Sequence, residues 1–156
     1  MKIKIIAIGK IREKFIKSGV DEFLKRLTPY TNIEVLELLP TEIRDETMIS
    51  KALDDEAYKI FSHIKPQSFI ITMEIAGTEL SSEDFAGQLQ TVINSGVNEI
   101  TFIIGSSHGI SPIVSAKANM KLSLSKMTFL HQFARLILVE QIYRAFKIMR
   151  GETYHK

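Results

Sequence analysis

Five short apolar runs constrain this chain more than any other feature of its sequence. They are residues 2–8 (KIKIIAI), 32–39 (NIEVLELL), 68–75 (SFIITMEI), 99–104 (EITFII) and 121–124 (KLSL). Each is followed by a segment with helical spacing of its apolar residues. Strands and helices that alternate in this order build a mainly parallel sheet with helices on both faces, because each crossover must return the chain to the same end of the sheet. The expected fold class is therefore α/β.

Local signals set the expected boundaries. The first run is apolar enough to be buried on both faces, whereas the alternation of Ile33 and Val35 with Glu34 and Glu37 places the second in a more exposed position. A first helix is expected from Ile11, with Phe15, Val20, Phe23, Leu24 and Leu27 on its inner face and Pro29 as its stop. Pro40 to Asp55 is acidic and weakly periodic, with a helix forming by Ser50 and running to about His63. The third strand is expected to end at Ile75, before Ala76 and Gly77. Ser81 and Ser82 then offer an N-cap, with Glu83 and Asp84 in the first turn and Gly96 at the C′ position. Ser111 and Pro112 start a short helix, and a long, nearly uncharged one runs from Phe129 or Leu130 to about Met149.

At 156 residues, 45% of them hydrophobic and 24% charged, the chain is expected to form one globular domain over residues 1–156. The start MKIKIIAIGK has too short an apolar part for a signal peptide and is followed at once by Arg12 and Lys14, so it reads as a strand. No run approaches membrane-spanning length. The chain has no cysteine, which excludes disulfides and thiolate chemistry and fits a cytoplasmic location.

Charge is distributed unevenly. Residues 1–116 hold twelve basic and sixteen acidic side chains, whereas residues 117–156 hold eight basic and two acidic ones, for net charges of −4 and +6. Such asymmetry suits a polyanion such as nucleic acid, and it equally suits a solvated helix face that balances an acidic first half.

Two junctions in the last third hold the chemistry expected of a site: residues 100–109 (ITFIIGSSHG) and 121–131 (KLSLSKMTFLH). Ligands of open α/β sheets sit at the carboxyl ends of strands, where such junctions lie. GSSHGISP lacks the Gly-Lys-Ser/Thr of a P-loop, and no GxGxxG or Gly-x-Ser-x-Gly is present. The four histidines, His63, His108, His131 and His155, have no metal-ligand spacing, so no metal is expected. The long helix is apolar on nearly every side, more than burial of one face requires, and a homodimer interface is a natural sink for the excess.

The run from Phe102 to Gly109, LSLSKMTF at 122–129 and the ending IYRAFKIMRGETYHK at 142–156 resemble the RlmH family of SPOUT-superfamily methyltransferases. The resemblance extends to KIKIIAIGKIREKF at the start and KPQSFIITMEIAG at 65–77. It implies an enzyme that uses S-adenosylmethionine to methylate N3 of a pseudouridine in 23S rRNA of assembled ribosomes. It also implies a homodimer, no membrane or metal, and a C-terminal deep trefoil knot. By that resemblance Met73, Gly105, Leu124, Ser125, Lys126, Met127, Thr128 and Phe129 hold the cofactor. On chemical grounds His155, Tyr154 and Arg144 are the candidates to serve the reaction, His155 as the base and Tyr154 stacked on or bonded to the target base, and Arg135 and Lys156, with Arg144, are candidates to hold RNA phosphates. Three departures stand out: Ser106 where the family usually has a second glycine, Met73 for leucine, and Leu130 for a proline before His131. A member that binds RNA or ribosome without catalysis, or methylates another RNA, is the alternative reading.

Overall fold

The computed structural model describes residues 1–154. Five strands, β1 (Lys2–Ile8), β2 (Asn32–Leu38), β3 (Phe69–Glu79), β4 (Glu99–Ile104) and β5 (Met120–Ser123), form one sheet in the order β2-β1-β4-β3-β5. Every neighbouring pair is parallel. The connections hold α1 (Lys14–Leu27), α2 (Ile49–Phe61), α3 (Ser82–Asn94) and α4 (Pro112–Ser115), and α5 (His131–Met149) follows β5. Central β4 is buried throughout, while edge strand β2 keeps its alternation of covered and exposed residues, as the sequence pattern predicts.

The period of two along each strand divides the core. Ile3, Ile5, Ala7, Ile71, Ile100, Phe102 and Ile104 face one way, onto α1, α3 and α5. Ile6, Ile8 and Ile103 face the other, onto Ala57 and Ile60 of α2 and Val114 of α4. Helices thus cover both faces. Local caps form where the sequence places them: Ser81 Oγ accepts from Asp84 N at 3.0 Å, and Gly96 takes φ +83° just past α3. Among the described residues no helix is long and apolar enough to cross a membrane.

Two expectations are corrected. Helix α1 starts at Lys14 rather than Ile11, and Ile16, four residues before Val20, faces inward while Phe15 is 66% exposed. Strand β3 does not stop at Ile75 but continues to Glu79, because β5 gives it a second partner segment. Met73 and Thr78 both lie opposite Leu122, with the intervening residues bulged out. The bulge requires Gly77, where a Cβ would lie 2.8 Å from the Lys121 carbonyl carbon and oxygen.

Helix α5 fixes the arrangement. Its inward stripe is Gln132, Arg135, Leu138, Val139, Ile142, Ala145 and Phe146. Gly19 of α1 lets Leu136 approach to within contact distance. Gln132 also caps α1 from outside: its Oε1 accepts from Arg12 N at 2.6 Å and Glu13 N at 3.3 Å, which no side chain at the head of α1 does.

Candidate active site

The carboxyl ends of β3, β4 and β5 and the head of α5 enclose a cavity of about 820 Å³, within the size range of small-molecule sites. Its wall is built from three segments: the β3 bulge from Met73 to Ala76, the loop after β4 from Gly105 to Ile110, and the link from Leu122 to His131. Met73, Gly105, Leu124, Ser125, Met127, Thr128 and Phe129 all lie on this wall. Lys126 does not, and its side chain is exposed. The link is folded on itself, Ser123 Oγ donating to Ser125 O at 3.0 Å and Ser125 Oγ accepting from Met127 N at 3.0 Å.

The two positions after β4 have different demands. A Cβ at Gly105 would lie 2.2 Å from Gly109 O, so glycine is needed for the loop to close on itself rather than for backbone approach to a ligand. Gly109 N donates to Ser106 O at 2.9 Å, and Gly109 takes φ +89°. Ser106 is not in the left-handed region; Gln67 is the sole non-glycine residue there among the described residues. The serine therefore fits its backbone without strain. Its Oγ is buried and has no hydrogen-bond partner among the described residues.

Two further wall residues were given no role from the sequence. Glu74 is the only acidic side chain on the wall, and it is held by Thr72 Oγ1 at 2.6 Å and Ser115 Oγ at 3.0 Å. A glutamate in the otherwise apolar run SFIITMEI was the available signal. His131 opens α5 on the cavity wall. Burial, and then the positive charges of Arg135 and Arg12, hold its imidazole below the usual histidine range.

Arg135 is not a phosphate ligand in this structure. Its side chain is fully buried, donating from Nη1 to Glu37 Oε2 at 2.9 Å and from Nη2 to Gly9 O at 3.0 Å. It ties the head of α5 to the ends of β1 and β2. Arg144 and Tyr154 are also away from the cavity. Arg144 Nη2 donates to Glu140 Oε1 at 2.5 Å, and Tyr154 Oη donates to the same oxygen at 3.0 Å. The Tyr154 ring packs on Tyr143 at 4.9 Å and beneath the Arg144 guanidinium at 4.7 Å. Burial, and then Glu140, push its hydroxyl pKa above the ordinary tyrosine value. At a rise of about 1.5 Å per residue, Arg144 stands about 20 Å along α5 from His131. Through Tyr154 the described part of the tail folds back on its own helix. His155 and Lys156 lie outside the described residues.

Comparison with known proteins gives this cavity its context. The chain is similar in fold to the solved structure of a probable methylase family protein from Haemophilus influenzae Rd KW20. That likeness has a TM-score of 0.56 at 13% sequence identity and covers 99% of this chain and 70% of the other. A family model described as "Predicted SPOUT methyltransferase" matches residues 1–155. Since that match spans nearly the whole sequence, the chain belongs to the SPOUT methyltransferase family.

Proposed function

We propose that this methyltransferase uses S-adenosylmethionine to methylate N3 of a pseudouridine in 23S rRNA, acting on assembled ribosomes in the cytoplasm as a homodimer. The observation that carries the reading is the convergence of seven of the eight residues implied as cofactor ligands on one cavity. The donor set fits the group. Met73, Leu124, Met127 and Phe129 offer an apolar slot, and the Glu74 carboxylate on the same wall, held by two hydroxyls, has the charge that suits a sulfonium. When bound, the cofactor supplies an activated methyl group on a sulfonium. The protein's share of the work is then to hold the acceptor ring in line and receive its N3 proton, with His155 as the base. The trefoil threading of the segment after β4 belongs to the same reading.

Distance supports the homodimer reading. Arg144 and Tyr154 of a protomer stand away from its own cavity, so for them to serve the reaction, as this reading has it, a second copy brings its α5 and Tyr154 to the mouth. Exposed Phe129, Leu130 and Phe133, at 37%, 55% and 39% of full exposure, surround that mouth and offer an apolar seat.

Calorimetric titration with S-adenosylmethionine tests the first step. We expect micromolar binding by the wild type and by Ser106→Gly, and loss of binding in Gly105→Ala, whose Cβ forces the loop open. Ribosomes lacking the modification should then accept one methyl group on the pseudouridine, read by mass spectrometry of RNA fragments, while free tRNA should not. Failure of a well-folded wild type to bind cofactor alone or with ribosomes would refute the enzyme reading and leave a binding-only protein.

A further inference from the structure

We propose that Lys10, Arg12, Lys14 and Lys126 form a phosphate-docking rim at the mouth of the cavity, and that its partner is the RNA substrate. This rests on the methyltransferase reading above and names the surface by which that site would be addressed. The sequence places the positive excess in residues 117–156, but the structure consumes much of it internally. Arg135 is paired with Glu37, Arg144 with Glu140, and Lys147 with Glu152, while Arg150 stacks on the Tyr30 ring at 4.5 Å. These cations are occupied in holding α5 and the tail.

Other cations carry no ion pair among the described residues. Lys10, Arg12, Lys14 and Lys126 are all exposed, and none forms an ion pair with an acidic side chain among the described residues. Their placement follows from the parallel sheet, which puts the loop after β1 at the same end as the loops after β3, β4 and β5. Contacts confirm the proximity: a Cβ at Gly9 would lie 3.7 Å from His131 Nε2 on the cavity wall, and Arg12 N is bonded to Gln132. Lys126 sits between wall residues Ser125 and Met127. Within the loop after β1 the one acid is Glu13; Glu37 beside it is engaged by Arg135 and by Ile11 N at 3.0 Å, Glu74 is held by Thr72 and Ser115, and Glu42, Asp45 and Glu46 lie in the connection after β2 at the same end. Loop 9–13 is also rigidly seated, pinned at Ile11, Arg12 and Glu13, so it presents its cations at low ordering cost. RNA suits such a rim because cations along its path gain from each phosphate and from released counterions.

The test is salt-dependent co-sedimentation with intact ribosomes and, in parallel, anisotropy with a labelled RNA hairpin, from 50 to 200 mM KCl. The variants are Lys10→Ala/Arg12→Ala/Lys14→Ala and, as a control, Lys25→Ala/Lys117→Ala, whose cations precede β2 and β5 at the opposite end of the sheet. Each lost phosphate contact lowers the slope of log affinity against log salt by about 0.7–0.9. The rim variant should therefore lose about two to three units of slope. Its affinity deficit against wild type should shrink by about 20- to 40-fold across that range, with cofactor binding and melting temperature retained. The control should keep the wild-type slope. A rim variant with the wild-type slope would overturn the docking surface while leaving the methyltransferase reading intact. Absence of any RNA or ribosome binding by the wild type at 50 mM KCl would overturn both.

Discussion

Removing the carboxylate of Glu37 should damage this protein more than removing the arginine that it pairs with. Arg135 is 0% exposed and has two partners, Glu37 Oε2 and Gly9 O, while its Nε has none. Burial draws its guanidinium pKa below the ordinary value, and the Glu37 hydrogen bond and charge oppose that. In Glu37→Ala the cation stays buried with a single neutral acceptor. Breaking a fully buried pair costs about 3–5 kcal/mol. The Glu37 side chain is 37% exposed, so water can enter part of its place and the expected cost is about 2–3 kcal/mol. In Arg135→Met the charge and its orphan Nε leave together, the apolar stem remains, and Glu37 keeps solvent and Ile11 N. The cost should then be about 1 kcal/mol, mainly for the stranded Gly9 carbonyl. Urea unfolding at pH 7.5 reads both values, and at 2–4 °C per kcal/mol for a chain of this size Glu37→Ala should melt about 4–12 °C lower. Because the pair anchors the head of α5, Glu37→Ala should also weaken cofactor binding although Glu37 does not line the cavity. The reasoning is refuted if Glu37→Ala lies within about 0.5 kcal/mol of wild type, or if Arg135→Met is the worse of the two.

Glu74→Gln should weaken S-adenosylmethionine binding roughly tenfold while leaving the uncharged thioether product nearly unaffected, since only the former carries a sulfonium charge for the carboxylate to face; paired calorimetric titrations read the difference. Gln132→Ala removes the acceptor for Arg12 N and Glu13 N and should cost about 1 kcal/mol, the size of a lost N-cap, seen as a melting temperature about 2–4 °C lower. For His131 the folded pKa lies below the ordinary 6.5, so the unfolded chain binds a proton that the folded chain does not. Its contribution to stability is complete above pH 6.5 and is lost as pH falls through 6.5 towards the folded value; His131→Asn should flatten the decline of urea midpoint between pH 7 and pH 5.

Features that depend on near neighbours were legible in the sequence. The alternation of strands and helices, the exposed position of β2, the Ser81 cap and the Gly96 terminus each follow from a few adjacent residues. What was missed depends on distant chain. Ala76 and Gly77 read as the end of a strand because nothing nearby shows that β5, more than forty residues on, offers a second register. Phe15 and Ile16 are the exception: Ile16 lies four residues before Val20 on the stripe that runs on to Leu24 and Leu27, so this exchange was available from local spacing. Arg135, a cation in an apolar helix, was visible as an oddity. Its acceptor is 98 residues away, and without that partner a phosphate was the natural alternative.

The same distinction separates the charge count from the electrostatics of the site. Counting along the chain weights every cation equally, whereas the field outside the molecule is made by those whose charge is not already cancelled. Glu140 neutralises Arg144 and anchors Tyr154, Glu152 neutralises Lys147, and Glu37 neutralises Arg135, so the acids that sequence analysis treated as a minority are the ones that organise α5 and the tail. The loop after β1 and the first residue of α1 lie outside the stretch with the basic excess, yet Lys10, Arg12 and Lys14 are exposed there with one acid, Glu13, among them. A glycine motif behaves similarly. Gly105 and Ser106 are adjacent in the sequence, but only the first has a carbonyl 2.2 Å from where its Cβ would be. A departure from the family pattern at the second position therefore carries no argument against a working cavity, while a departure at the first would have been decisive.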